Sequence, residues 1–312
     1  MTVDAYQLLN KSFRKEVVYK IGMSAGFFSE YNSMILSMLY SLEHKIRFKL
    51  CSGPTNFHPE GWNGFFLPFC EQVEDSSGHY KTCDWKYALK QMVRDGRFSA
   101  YKSLLPYLSP TGKELKTQEV FGRSRDPHRA KKKYYIPELG INGNIQEACS
   151  KLIETTWRYN EKTQKSIDGL KASVNISGNY IGFHIRWGDK SIEHKPYPAE
   201  AYFAKVADTE TKKTFVASDD YRAVDAVRRL RPGWEVYTLE REDERDFSYA
   251  GFLHQPEEAR QEQLLRLFAS VDLLSQSQQF IGTYSSNLGM YVGMRNAKIC
   301  TGVDYDSWRL NW

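Results

Sequence analysis

The sequence predicts an α/β protein with doubly wound parallel sheets, divided into two domains over residues 1–175 and 176–312. Two observations carry this. From Tyr180 onward, short β-rich runs alternate with longer amphipathic runs, the pattern of strands joined by crossover helices. The 312 residues are also about twice the ~150 of one typical domain.

The first domain opens with a strand over Val17–Met23, "VVYKIGM", because the run is β-branched and apolar. "SAGFFSEYN" turns the chain. Met34, Ile35, Met38, Leu39 and Leu42 then recur at helical spacing, and "IRFKL" (Ile46–Leu50) is the next strand. "GWNGFFLPF" (Gly61–Phe69) is aromatic and turn-rich. It reads as a hydrophobic core loop, with a sugar-stacking surface as the alternative. "CDWKYALKQMV" (Cys83–Val93) reads as a helix. The polar stretch from Ser109 to Asn144, with its basic run "GRSRDPHRAKKKYY", reads as a solvated loop or as a surface for an anionic acceptor or membrane. One long amphipathic helix then follows, with Asn144 as its N-cap.

In the second domain the order is strand "YIGFHIR", helix "PAEAYFAKVA", strand "KTFVAS", helix "YRAVDAVRRLR" and strand "WEVYTL". After Pro256 come helix "EEARQEQLLRLFASVDLLSQS", strand "QFIGTY", helix "SNLGMYVGMR" and strand "AKIC". No internal repeat has a fixed period.

Composition narrows the function. At 41% hydrophobic and 14% aromatic residues, the chain can bury sizeable cores. A net charge of +5 suits an anionic small ligand and falls short of a dedicated nucleic-acid binder. Five scattered cysteines without a CxxC pair favour a reducing compartment over a disulfide framework and argue against zinc. No apolar run reaches the ~18 residues of a membrane helix. The N-terminal segment lacks a signal-peptide core, so the expected location is cytoplasmic, if that start is the natural one.

Three strand ends carry the candidate chemistry. Side chains alternate across a strand, so His184 and Arg186 point the same way at the carboxyl end of "IGFHIRWGDK", where open α/β sheets bind ligands. Gly188 allows the turn, and Asp189 and Lys190 follow. Arginine with a nearby lysine suits a diphosphate. The plain structural alternative is that Arg186 and Asp189 pair with each other. In "VASDD", Ser218, Asp219 and Asp220 either cap the next helix or grip sugar hydroxyls; no third metal-ligating residue stands nearby. In "IGTYSSN", Tyr284, Ser285 and Ser286 lead into a helix whose N-terminal N–H groups suit phosphate, with a simple serine cap as the alternative. "SAGFFSEYN" does not match GxGxxG and is weak evidence for dinucleotide binding.

Taken together, "HIRWGDK", "PAEAYF", "VASDD" and "LLSQSQQFIGTYSSN" resemble, in order and spacing over roughly residues 180–295, the three motifs of the α-1,6-fucosyltransferases. That family includes the core N-glycan and nodulation-factor enzymes. The resemblance implies a GT-B-like fold of two Rossmann-like domains, the C-terminal one binding the nucleotide sugar. It implies inverting, metal-independent transfer of fucose from GDP-fucose to a glycan acceptor, with no cofactor. By motif position, Arg186 would hold the β-phosphate and His184 would contact guanine. Asp189 and Lys190 would line the donor site, and Asp219 and Asp220 would surround fucose and ribose. Tyr202 and Ser286 match further site positions.

Three departures stand out. Trp187 replaces the second arginine of the motif. The following loop is one residue shorter, so Glu193 aligns with the catalytic glutamate through a gap, and His194 aligns without one. The guanine-contacting acid falls at Ser270, with Asp272 two residues on as its substitute. The rival readings are a transferase using another GDP-sugar and a non-catalytic nucleotide-sugar or glycan binder.

Overall fold

The structure is a computed structural model and describes residues 2–23, 25–51, 53–74, 114–188, 196–207 and 210–310. It contains two parallel sheets and a small hairpin. The first sheet has the order β3-β2-β1-β4, from β1 (Lys15–Tyr19), β2 (Ile46–Cys51), β3 (Gln72–Val73) and β4 (Glu114–Lys116). The second has the order β11-β10-β7-β8-β9, from β7 (Ile181–Ile185), β8 (Lys213–Ser218), β9 (Glu235–Tyr237), β10 (Gln279–Gly282) and β11 (Cys300–Gly302). All its pairings are parallel. The chain leaves β7 towards β8 and β9, then returns to the other side at β10. The topological switch therefore lies between the carboxyl ends of β7 and β10.

The helices are α1 (Val3–Lys11), α2 (Phe27–Glu43), α3 (Thr117–Ser124), α4 (Ile145–Thr156), α5 (Glu161–Val174), α6 (Ala199–Phe203), α7 (Arg222–Leu230), α8 (Tyr249–His254), α9 (Glu257–Gln276) and α10 (Asn287–Arg295). Helix α2 is buried on nearly every side, as expected of a helix apolar all round and packed among α3, α4 and α10. Its first residues enter an aromatic cluster that joins the two sheets' helices. Phe27 meets Phe268 of α9 edge-on at 4.7 Å, and Phe28 meets Tyr291 of α10 at 4.8 Å. Offset and edge-on pairs of this kind add ~0.5–1.5 kcal/mol each beyond their buried area.

The structure corrects several local readings. The first strand starts at Lys15 and ends at Tyr19, so Ile21 to Met23 belong to the turn. Residues 114–144 are not a loop. They supply β4, helix α3 and the antiparallel hairpin of β5 (Lys133–Ile136) and β6 (Ile141–Asn144). Arg129 is buried on Glu43, with Lys132 salt-bridged to the same carboxylate at 2.6 Å, so part of the basic run is structural.

The single helix expected after Asn144 is two. Asn144 does cap α4, accepting from the Glu147 N–H at 3.0 Å while Glu147 accepts from the Asn144 N–H at 2.9 Å. The helix breaks where Trp157 and Tyr159 turn into the aromatic cluster, and Asn160 starts α5 by accepting from the Thr163 N–H at 2.8 Å. Trp62, Phe65, Phe66 and Phe69 are buried, as a core loop requires. The last strand lies at Cys300–Gly302, later than "AKIC". Helices α1 and α8 have no counterpart in the sequence reading. The Cys83–Val93 helix lies outside the described residues.

Candidate active site

One face of β7 carries Ile181, Phe183 and Ile185 into a core with α6 and α7. The other carries Gly182 and His184 towards α9. A Cβ on Gly182 would lie 3.1 Å from Leu274 and 2.9 Å from Ser277, so glycine lets α9 lie close to the sheet. His184 is buried beneath the strand end, and Arg186 emerges just past it.

The ladder register then decides Arg186's partner. The last β7–β8 pair is Ile185 with Ser218. One step further, on the side of the sheet that His184 faces, Arg186 stands opposite Asp219, and its Nη1 lies 3.1 Å from Oδ2. The other oxygen, Oδ1, accepts the Trp187 N–H at 2.8 Å. Burial raises the Asp219 carboxyl's pKa, against the pull of Arg186 and the N–H groups of Gly188 and Trp187. Arg186 therefore pairs with Asp219 across the sheet. Asp189, Lys190, Glu193 and His194 lie outside the described residues.

Gly188 completes this turn because nothing larger fits. A Cβ there would stand 2.5 Å from Asp219 Oδ2 and 3.1 Å from the Phe247 carbonyl. Gly188→Ala is expected to lower stability by ~1–3 kcal/mol, the usual cost of overpacking, which urea unfolding measures.

Beside these residues opens a cleft of about 630 Å³. Its walls come from both halves of the chain: Ala25 to Ser29 at the start of α2, the strand-end residues His184, Arg186, Ser218 and Asp219, and Ser286 to Leu288 at the start of α10. Phe57, Phe247, Tyr249, Phe252, Leu264 and Leu267 make much of the lining apolar. A flat or sugar-like ligand can be enclosed there, with a cation and a helix N-terminus at its polar end.

Two other N–H clusters are filled from within. Glu30 receives the backbone N–H groups of Met23 at 3.0 Å and Ala25 at 2.8 Å, together with that of Gly22. The glycine turn before α2 is thus closed by the protein's own carboxylate and is not a second phosphate loop. Asp304 likewise accepts from the N–H groups of Tyr284 and Ser285, both at 2.8 Å. Ser286 caps α10 by accepting from Gly289 at 3.0 Å.

His184, Arg186, Ser218, Asp219 and Ser286 therefore share the cleft, and the other candidates among the described residues stand outside its lining. Asp220, expected on donor hydroxyls, turns inward to Arg222 and accepts the Arg222 N–H at 2.9 Å. Asp272, expected at the guanine, pairs with Arg295 at 2.5 Å, and Ser270 is buried in the core. Tyr202 packs beneath the opposite face of β7, its ring 6.2 Å from that of Phe183. Tyr284 and Ser285 serve the Asp304 turn.

Sequence reasoning missed Glu240 and Arg266, both of which line the cleft. Each had a signal. Glu240 directly follows the strand read at "WEVYTL" as Asp219 follows "KTFVAS", and Arg266 is a lone cation within the apolar run "LLRLF". Arg266 bonds both Glu244 oxygens, one at 2.6 Å, and the Leu239 carbonyl at 3.3 Å. Glu240 accepts the Ser218 N–H at 3.3 Å. Its pKa is pushed up to about 8, first by burial and then by Glu244, with Arg266 opposing.

The chain matches no family model and no curated protein. It is similar to solved fucosyltransferase structures. NodZ α-1,6-fucosyltransferase soaked with GDP-fucose shares 16% identity at a TM-score of 0.51, over 91% of this chain and 93% of that one. For the fucosyltransferase NodZ from Bradyrhizobium the figures are 15%, 0.52, 94% and 96%. For POFUT1 without ligand they are 10%, 0.50, 92% and 97%. The fold is thus the one these fucosyltransferases share, over nearly the whole chain.

Proposed function

We propose that this protein is an inverting glycosyltransferase that moves fucose from GDP-fucose to a glycan hydroxyl, in an α-1,6-type linkage. The observation that carries the reading is the convergence of Arg186, His184 and the start of α10 on one cleft at the sheet's switch point. The NodZ structure soaked with GDP-fucose has the same fold. Residues 176–312 would be the donor domain and 1–175 the acceptor side. Among the described residues no helix is long and apolar enough to cross a membrane.

In this reading Arg186 and the first turn of α10 neutralise the diphosphate as it leaves. Asp219 keeps the guanidinium aimed at the cleft, a positioning role rather than the sugar contact expected from the sequence. Glu193 takes the acceptor proton, and Lys190 adds a cation. Asp219 is committed to Arg186 and Asp220 to Arg222, which supports charge stabilisation by the protein's own cations rather than by a metal. The test is release of GDP from GDP-fucose with a glycan acceptor in excess EDTA. Full activity is expected. Activity lost to EDTA and restored by Mn²⁺ would move the protein to a metal-dependent class, and GDP binding without turnover would make it a binder.

A further inference from the structure

We propose that Glu240 is a specificity-determining residue of the cleft, accepting hydrogen bonds from a pair of adjacent donors on the bound nucleoside diphosphate. The proposal rests on the donor-site reading above. The shared chemistry is two neighbouring N–H or O–H groups, which a carboxylate can accept side by side. The Watson–Crick edge of guanine presents such a pair, and so do the two ribose hydroxyls.

The geometry argues against a purely structural acid. A carboxylate kept for stability would be expected on the nearest cation, yet Arg266 gives its terminal nitrogens to Glu244 and to the Leu239 carbonyl. The Glu240 carboxylate accepts one long backbone hydrogen bond, from the Ser218 N–H at 3.3 Å. Its backbone is nevertheless held in place, since the Glu240 N–H donates to Thr238 Oγ1 at 3.0 Å and the preceding carbonyl is tied to Arg266. The side chain is thus presented to the cleft from a rigid base, at the carboxyl end of β9 and beside that of β8. Phe247 and Phe252 line the same cleft and provide flat apolar surface for a ring.

The arrangement costs stability, and the cost has a signature. The carboxyl titrates near 4.5 when unfolded and at about 8 in the fold, because burial, Glu244 and Asp219 outweigh Arg266 and the Ser218 N–H. Between those values the unfolded chain has lost a proton that the folded chain keeps. Stability therefore falls as pH rises through that window. An acid retained at such a cost, with its cation given to another acid, is what a ligand-reading residue looks like.

The test titrates the full chain and Glu240→Gln with GDP, IDP and 2′-deoxy-GDP by calorimetry at about pH 8 and above, where the carboxyl gives up its proton and can accept from both donors, and melts both proteins at about pH 5 and about pH 8. The amide sets an N–H against one ligand donor, so GDP should weaken ~10-fold or more. One wild-type preference should also vanish: GDP over IDP if the carboxylate reads the base edge, GDP over 2′-deoxy-GDP if it reads the ribose. The variant should melt higher than wild type near pH 8 and alike near pH 5. Unchanged GDP affinity with both preferences intact would overturn the proposal while leaving the donor-site reading standing. So would a variant less stable at both pH values. A wild-type chain that binds none of the three nucleotides would instead bring down the donor-site reading, and this inference with it.

Discussion

Arg186→Ala is expected to abolish fucose transfer and to weaken GDP by ~1.5–3 kcal/mol, about 10–150-fold, the range for a hydrogen bond to a charged group. GMP, which lacks the β-phosphate, should bind wild type and variant almost equally. Equal weakening of GMP would place the arginine on some other part of the nucleotide. The variant also leaves Asp219 buried with backbone N–H partners and no cation at its Oδ2. Some lost affinity could then reflect a disturbed turn. The double variant Arg186→Ala/Asp219→Asn separates the two effects, because the neutral amide no longer needs a cation. It should regain stability without regaining GDP affinity, and the double-mutant cycle measures the coupling directly.

Glu193→Gln is expected to lower turnover by ~10²–10⁴-fold, the usual contribution of a positioned acid or base, with little change in GDP affinity. The proposed inverting transfer has one chemical step, in which an acceptor hydroxyl attacks the anomeric carbon as GDP departs. A carboxylate opposite the diphosphate must receive the hydroxyl proton as the new bond forms. Asp219 is held by Arg186 and Asp220 by Arg222, so neither is available as base. In sequence, Asp189 directly follows the Trp187–Gly188 turn that packs on Asp219. Glu193 lies further along the same connection, between Arg186 and α6. His194→Ala should retain most activity. An inactive histidine variant beside an active Glu193→Gln would move the base to His194.

Much of the fold was legible because local rules dictate it. The alternation of β-branched runs with amphipathic runs requires crossover helices, and hence parallel strands. The polar residues Asn144 and Ser286 stand before apolar periodic runs, and both cap helices. His184 and Arg186 were assigned to one direction by the two-residue period of a strand. The errors came where a local pattern has two solutions. A basic polar stretch can be a loop, or it can hide a strand, a helix and a hairpin whose Arg129 is neutralised by a distant Glu43. A long amphipathic run can be one helix or two, and the break at Trp157 is set by the aromatic cluster rather than by a local glycine or proline.

By itself, the sequence determined the class of fold and the strand-end positions of His184, Arg186, Ser218 and Asp219, which line the cleft. The tertiary structure alone decided which of those groups are free to act. Asp219 is joined to Arg186 by the β7–β8 register, Asp220 to Arg222 within its own turn, and Asp272 to Arg295 in the core. Glu30 and Asp304 close N–H clusters that the sequence offers equally well to phosphate. Glu240 and Arg266 reach the cleft from opposite ends of a long excursion of the chain. The reason is physical: periodicity and capping are settled within a few residues, whereas the pairing of a buried charge depends on which strands lie side by side and which helix covers them.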